Sequence, residues 1–355
     1  ICLKIAFLNL NSLLAEDTSI KIGALLCQTG VCSEWGVNAL NGAKLAVEEI
    51  NQSGGIDGKK LELLIEDTRE ENSAFAISAY KALRLKKISY FIGPSWSAAG
   101  LAIAPIVSKD RSVIMISPSI GVPEFNETGD NIFSLWPHDR ISTEKLAEFA
   151  FSKGWKKIGI LSSQQPWESQ QGRVFKEKFL SLGGEITALL EPLSGTRDLK
   201  IEVLKLVNSK PNAIFISNFS SMDVAAQEIS KLNYTGEKIL ILVDKQRLEN
   251  SNGTLDGSFV AMYPEASNEF KQKFFKKFEY APTNSADTAY DAVKLLYHAL
   301  TNQSGNLDLP LKEILLKTNL NGAAGYVNFD STGAVAKNPV LNRVENQNLV
   351  EVNWN

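Results

Sequence analysis

Histidine and cysteine are scarce in this chain, with two of the first and three of the second in 355 residues. Neither His138 nor His298 stands in a metal-ligand spacing, and His298, on the run DAVKLLYHAL, reads as helix surface or packing. Missing too are a Walker loop, a GxGxxG after the first strand, an HExxH and a CxxC. The nearest approach to a nucleophile elbow is GPSWS, Gly93 to Ser97, but Trp96 and Ser97 stand where GxSxG needs any residue and then glycine. The acidic pair Glu66-Asp67 closes a strand, where solvated carboxylates are common. No enzyme, metal or cofactor is therefore expected, and a cleft hydrolase or oxidoreductase is the weakest reading. A net charge of −3 with no Lys/Arg stripe leaves nothing to neutralise phosphates, which excludes nucleic acid as the expected partner.

Long apolar runs are also missing past the N-terminus, where nothing approaches the roughly 20 residues of a membrane span. The opening ICLKIAFLNLNSLLA has one Lys, an apolar stretch and the small Ala15 before a polar break. It reads as a secretory signal over residues 1–15, with a disordered apolar tail as the alternative. Cys2 falls inside that segment and no cysteine stands at the cleavage point, so a lipid anchor is not indicated. Cys27 and Cys32 remain, across CQTGVC; after export they are a disulfide or a reduced pair, and spacing alone does not decide which.

With 44% apolar residues the mature chain has material for two cores rather than one. Apolar runs such as SIKIGALL, KLELLIED, SYFIG and VIMIS alternate with helical stretches. The helix expected from Gly36 to Gln52 sets Val37, Leu40, Ala43, Val47 and Ile50 on one face, the period of a helix packed on a sheet. Continuous apolar strands between helices predict a parallel sheet covered on both faces. The pattern restarts after Pro137 with KKIGILS, EITALLE, NAIFISN and KILILVD, so each half forms its own doubly wound α/β unit. Two later helices, around Ser267 to Phe278 and Ser285 to Thr301, have no strand of the second half beside them and are expected to return to the first.

The segment NGAKLAVEEINQSGGIDGKKLELLIEDTRE resembles the branched-chain amino-acid-binding family of periplasmic receptors, the type I "Venus flytrap" proteins that serve ABC transporters. YFIGPSWSAAGLAIAPIV and VIMISPSIGVPEF repeat that family's next strand-to-helix joints in order. The resemblance implies two doubly wound parallel-sheet lobes joined by a three-segment hinge. Lobe 1 would hold 16–137 plus 263–335, and lobe 2 would hold 138–262 plus 336–355. It further implies a periplasmic, monomeric receptor that binds a small molecule in the cleft and delivers it to a membrane permease. A sensor for amides or aromatic acids is the alternative within the same fold. The rule that ligands sit beyond the carboxyl ends of parallel strands points to the same cleft.

An amino acid brings a carboxylate and an ammonium, and each needs fixed partners once taken out of water. Ser97 opens a small-residue helix and matches the family's carboxylate-binding serine, although a plain N-cap is the other reading. Asp244 closes KILILVD and lines up with the family's acid for the ammonium, or else caps the next helix. Ser119 resembles a position whose backbone contacts the ligand. Gly121 stands where the family often has threonine, a loss of a hydroxyl that leaves room for a bulkier guest. Trp35, Trp167 and Phe219 match the family's aromatic positions, and Trp96 adds another beside Ser97; lobe packing is the alternative for each. Together they favour an amino acid with an apolar or aromatic side chain.

Overall fold

The computed structural model describes residues 19–69, 73–305 and 310–354. The signal segment expected over 1–15 lies outside them. The first half runs β1 (Ser19–Leu26), α1 (Ser33–Gln52), β2 (Lys60–Asp67), α2 (Ser73–Leu85), β3 (Tyr90–Ile92), α3 (Ser97–Val107), β4 (Ile114–Ser117), α4 (Pro123–Glu127) and β5 (Ile132–Ser134). Its strands form one parallel sheet in the order β2-β1-β3-β4-β5. The central strands are apolar on both faces because helices cover both; Ile22, Ala24, Leu25 and Leu26 of β1 are all fully buried.

The second half runs α5 (Arg140–Ser152), β6 (Lys157–Leu161), α6 (Pro166–Ser181), β7 (Glu185–Leu190), α7 (Lys200–Asn208), β8 (Ala213–Ile216), α8 (Met222–Lys231), β9 (Glu237–Leu240), α9 (Lys245–Asn250) and β10 (Phe259–Met262). The chain then makes α10 (Asn268–Phe278), α11 (Ala286–Gly305), α12 (Leu311–Lys317), the hairpin β11 (Leu320–Gly322) and β12 (Gly325–Val327), and finally β13 (Val340–Glu345) and β14 (Asn348–Val352). The second sheet has seven strands in the order β14-β13-β10-β9-β8-β6-β7.

As the sequence predicts, α10 and α11 return to the first half: Phe270, Phe274, Ala289, Val293 and Leu296 share one core with Ile22, Ala24, Ala39 and Ala43. The path therefore crosses between the sheets after β5, after β10 and before β13. A parallel bridge between Ser134 and Ala334 ties the first crossing to the third. Among the described residues no helix is long and apolar enough to cross a membrane.

Three details differ from the sequence reading. Val37 is 37% exposed and Val47 only half buried, because the face of α1 that packs inward is set by Trp35, Ala39, Ala43, Ala46 and Ile50. The second sheet is not wholly parallel: β13 pairs antiparallel with both β10 and β14, closing one edge as a meander. The strand in KILILVD ends at Leu240, so Ile241 to Asp244 leave the ladder and run as buried loop toward the other lobe.

Candidate functional site

The carboxyl ends of the parallel strands of both sheets face one another, and the loops they carry enclose a narrow cavity of about 30 Å3. Its wall is Trp35, Ser95, Trp96, Ser97, Ser119, Trp136, Asp139, Gln165, Trp167, Phe219 and Leu242. Trp35, Trp96, Ser97, Ser119, Trp167 and Phe219 were singled out in the sequence and are brought together here. Ser95, Trp136, Asp139, Gln165 and Leu242 were not.

The first-lobe wall is fixed by loop-to-loop hydrogen bonds. Cys27 and Cys32 form a disulfide with Cα atoms 6.0 Å apart, which closes the loop before α1. Gly36 lets α1 sit directly on that loop, since a Cβ there would stand 1.6 Å from the Cys27 carbonyl oxygen. Trp35 is thereby aimed into the cleft from the first turn of α1. The Cys27 N–H donates to Ser95 Oγ (3.0 Å), and Ser119 Oγ donates to the Ser95 carbonyl (3.0 Å), so the ends of β1, β3 and β4 are stitched side by side. Helix α3 then opens at Ser97 with no side-chain cap on its first N–H groups. Beside it the indole Nε1 of Trp96 is buried with no hydrogen-bond partner among the described residues. Unshared N–H groups at a helix start, with another donor next to them, suit an anion.

The second-lobe wall hangs on Glu168, which is fully buried at the start of α6. Its carboxylate accepts from Ser163 Oγ and from the Ser220 N–H (2.9 Å) and Oγ (2.7 Å). Burial raises its pKa, against these hydrogen bonds and the Arg247 charge. The effect is to hold the Trp167 loop against the turn carrying Phe219. Phe219 meets Trp35 at 6.3 Å, Trp96 at 6.1 Å and Trp167 at 6.1 Å between ring centroids, so one ring touches both lobes.

Asp139 comes from the first crossing, between β5 and α5. Although it stands at the N-cap position of α5 it makes no cap. Its carboxylate instead accepts from both neighbouring indoles, Trp136 Nε1 (2.9 Å) and Trp167 Nε1 (2.7 Å). Burial raises its pKa to about 6, with the two indole donors opposing that rise. Among the described residues that line the cavity no Lys, Arg or His faces it, and among the described residues no cluster of His, Cys, Asp and Glu could hold a metal.

Two expectations need correcting. Asp244 is not part of the cavity wall. It caps α9 by accepting the Arg247 N–H (2.9 Å) and pairs with Arg247 Nη1 at 2.6 Å, both side chains being almost wholly buried. Trp35 Nε1 also donates to it at 3.4 Å. Arg247 in turn reaches the Phe219 carbonyl at 2.7 Å and lies 3.8 Å over that ring. The cation that balances Asp244 is thus supplied by the chain itself. Gly121, for its part, leaves no added room for a guest, because a Cβ there would stand 2.3 Å from Asp139 Oδ2. The space of the missing side chain belongs to Asp139. An aspartate ahead of a helix reads as a cap, so only its capture by two indoles, one from each side of the crossing, could have drawn notice to it.

Comparison with known proteins gives the family and the fold. The chain is 23% identical over 203 residues to the Leu/Ile/Val-binding protein BraC3 of Rhizobium johnstonii, covering 56% of this chain and 54% of that one. It is 33% identical over 129 residues to the Leu/Ile/Val-binding protein of Escherichia coli K12, covering 36% and 33%. The chain thus spans about half the length, or less, of these curated relatives. Among solved structures it is similar to the leucine binding protein LivK of Thermotoga maritima, at 25% identity and a TM-score of 0.85 over 94% of this chain and 98% of that one. It shares its fold with a solute binding protein of an ABC transporter from R. palustris in complex with benzoate, at 16% identity and a TM-score of 0.84 over 94% and 95% of the two chains. The periplasmic binding protein model matches residues 19–339, and the chain belongs to that family.

Proposed function

We propose that this protein is the extracytoplasmic solute receptor of an ABC importer, binding an amino acid or related small carboxylate between its lobes and presenting the closed form to a membrane permease. The observation that carries this reading is the cavity itself. It is shared by both lobes, walled by aromatic rings, and provided at one end with the uncapped start of α3 and the unpaired Trp96 N–H. Ser97, Ser119 and Trp96 would receive the carboxylate, and Trp35, Trp167 and Phe219 the apolar body. Because these groups come from two lobes, a guest that touches both favours the closed state by the contacts made only there. The periplasm is the compartment this role requires, and the Cys27–Cys32 disulfide suits an oxidising one. A monomer suffices, since one chain supplies the whole wall.

The aromatic lining also supports a second reading, a receptor for aromatic acids in uptake or sensing. The R. palustris structure bound to benzoate has the same fold. A thermal-shift and tryptophan-fluorescence screen of amino acids, aromatic acids and amides tests both readings together. At least one carboxylate is expected to raise Tm and change indole emission, because Trp35, Trp96, Trp136 and Trp167 all border the cavity. No response to any of these compounds would defeat the receptor proposal.

A further inference from the structure

Of the second-lobe residues in the cavity wall, Trp167, Phe219 and Leu242 offer apolar surface, and the one indole N–H among them is taken by Asp139. Gln165 is the exception. It stands at the N-cap of α6, a place usually held by a shorter Ser, Thr, Asp or Asn. Its Oε1 accepts the Glu168 N–H at 2.8 Å, and its own backbone N–H donates to Ser163 Oγ at 3.0 Å. Ser163 Oγ in turn donates to the Glu168 carboxylate, so Gln165 is tied through both backbone and side chain. A backbone N–H can only donate, so the cap fixes which end of the amide is oxygen and leaves the Nε2 donors directed off the helix start. Nε2 has no hydrogen-bond partner among the described residues, yet it is not sealed inside the protein. With the residue only 4% exposed and part of the wall, the open space beside that nitrogen is the cavity.

We infer that Gln165 is a specificity-determining residue, whose Nε2 donates to a neutral oxygen at the end of the guest remote from its carboxylate. The receptor thus selects small carboxylates that carry a hydroxyl, ether or carbonyl oxygen over hydrocarbon analogues of the same shape. The inference rests on the proposed receptor role, in which the first lobe takes the carboxylate at Ser97 and Trp96. Closure strips water from Nε2, and an oxygen on the guest replaces that water. A methyl group in the same place leaves the donor buried and unpaired, which costs more than an ordinary hydrogen bond gains. Because the carboxylate site belongs to one lobe and this donor to the other, the preferred guest joins the lobes by a polar bond at each end.

Calorimetry on the full chain at pH 8 with three pairs of nearly isosteric probes separates the two ideas. The pairs are 4-hydroxybenzoate with 4-methylbenzoate, O-methyl-L-serine with L-norvaline, and 4-oxopentanoate with 4-methylpentanoate. The wild-type protein is expected to bind the oxygen-bearing member of at least one pair about tenfold or more tighter than its partner. Gln165→Met should bring that ratio close to one. Loss of the α6 cap in this variant weakens both members of a pair alike, so the ratio reads the donor and not the fold. The wild-type ratio needs no variant, so a poorly folding mutant does not shield the idea. Ratios below tenfold in every pair would overturn the role of Gln165 while keeping the receptor reading, and so would a tenfold preference that Gln165→Met leaves intact. Failure of all six probes to bind would remove both.

Discussion

At the scale of single residues, Asp139 pays for its place in the site with stability. Its carboxyl protonates near pH 6 in the folded protein, against an unperturbed value of 3.8. Between those values the native state holds a proton that the unfolded state has released, so stability falls as pH rises across the window, and the full penalty stands above about pH 6. The shift corresponds to about 3 kcal/mol. Asp139→Asn removes the charge and also one of the two acceptors that the indoles use, so urea denaturation should find the fall in stability between pH 4 and pH 8 flattened in the variant. An unchanged pH dependence would mean the carboxylate is better solvated than its burial indicates. The Asp244–Arg247 pair behaves in the opposite sense. Arg247→Met strands a buried charge and is expected to cost about 3–5 kcal/mol, and adding Asp244→Asn should restore most of it. A double variant no better than the single one would show that Arg247 acts chiefly through its bond to the Phe219 carbonyl.

At the scale of elements, the site is a set of strand ends held in register by short loops. The Cys27–Cys32 disulfide closes a small loop directly ahead of α1. Replacing both cysteines with serine should lower stability by about 2 kcal/mol on loop entropy alone. It should also weaken ligand binding, because the same loop sets the position of Trp35; binding unchanged in calorimetry would show that the contact of Gly36 with Cys27 fixes α1 without the bond. On the other lobe, Glu168 joins the start of α6 to the turn after β8. Its three donors make it a brace for the wall, and sequence periodicity carries no trace of such a brace.

At the scale of the whole molecule, the lobes already touch through the cleft. Glu34 accepts the Gln246 N–H at 3.3 Å, Arg247 reaches the Val31 carbonyl at 3.4 Å, and Gln170 donates to Glu124 at 2.7 Å. Burial raises the pKa of Glu34, with the nearby Asp244 charge adding to that rise. Beside them stand the buried Trp35–Asp244 hydrogen bond and the ring contacts of Phe219 with Trp35 and Trp96, while the exposed polar contacts are worth little each beside a ligand that bridges both walls. Small-angle scattering is therefore expected to show a more open average without ligand, and compaction that saturates with the fluorescence change. A radius of gyration unaffected by a binding ligand would argue against hinge closure.

The sequence alone determined the layered α/β halves, the return of α10 and α11 to the first half, and the gathering of Trp35, Trp96, Ser97, Trp167 and Phe219 at strand ends. Those follow from local periodicity and from the rule that strand ends carry the loops, both of which a linear string records. The edge strands β13 and β14 were missed because their residues NRVENQNLVEV alternate around charges and a turn rather than forming an apolar run. The balance of charge in the cleft was decided only by tertiary structure. Whether Asp139 or Asp244 is the unpaired acid depends on which one meets a guanidinium and which one meets two indoles. That choice is made by side chains converging from separate loops in space, and spacing along the chain does not encode it.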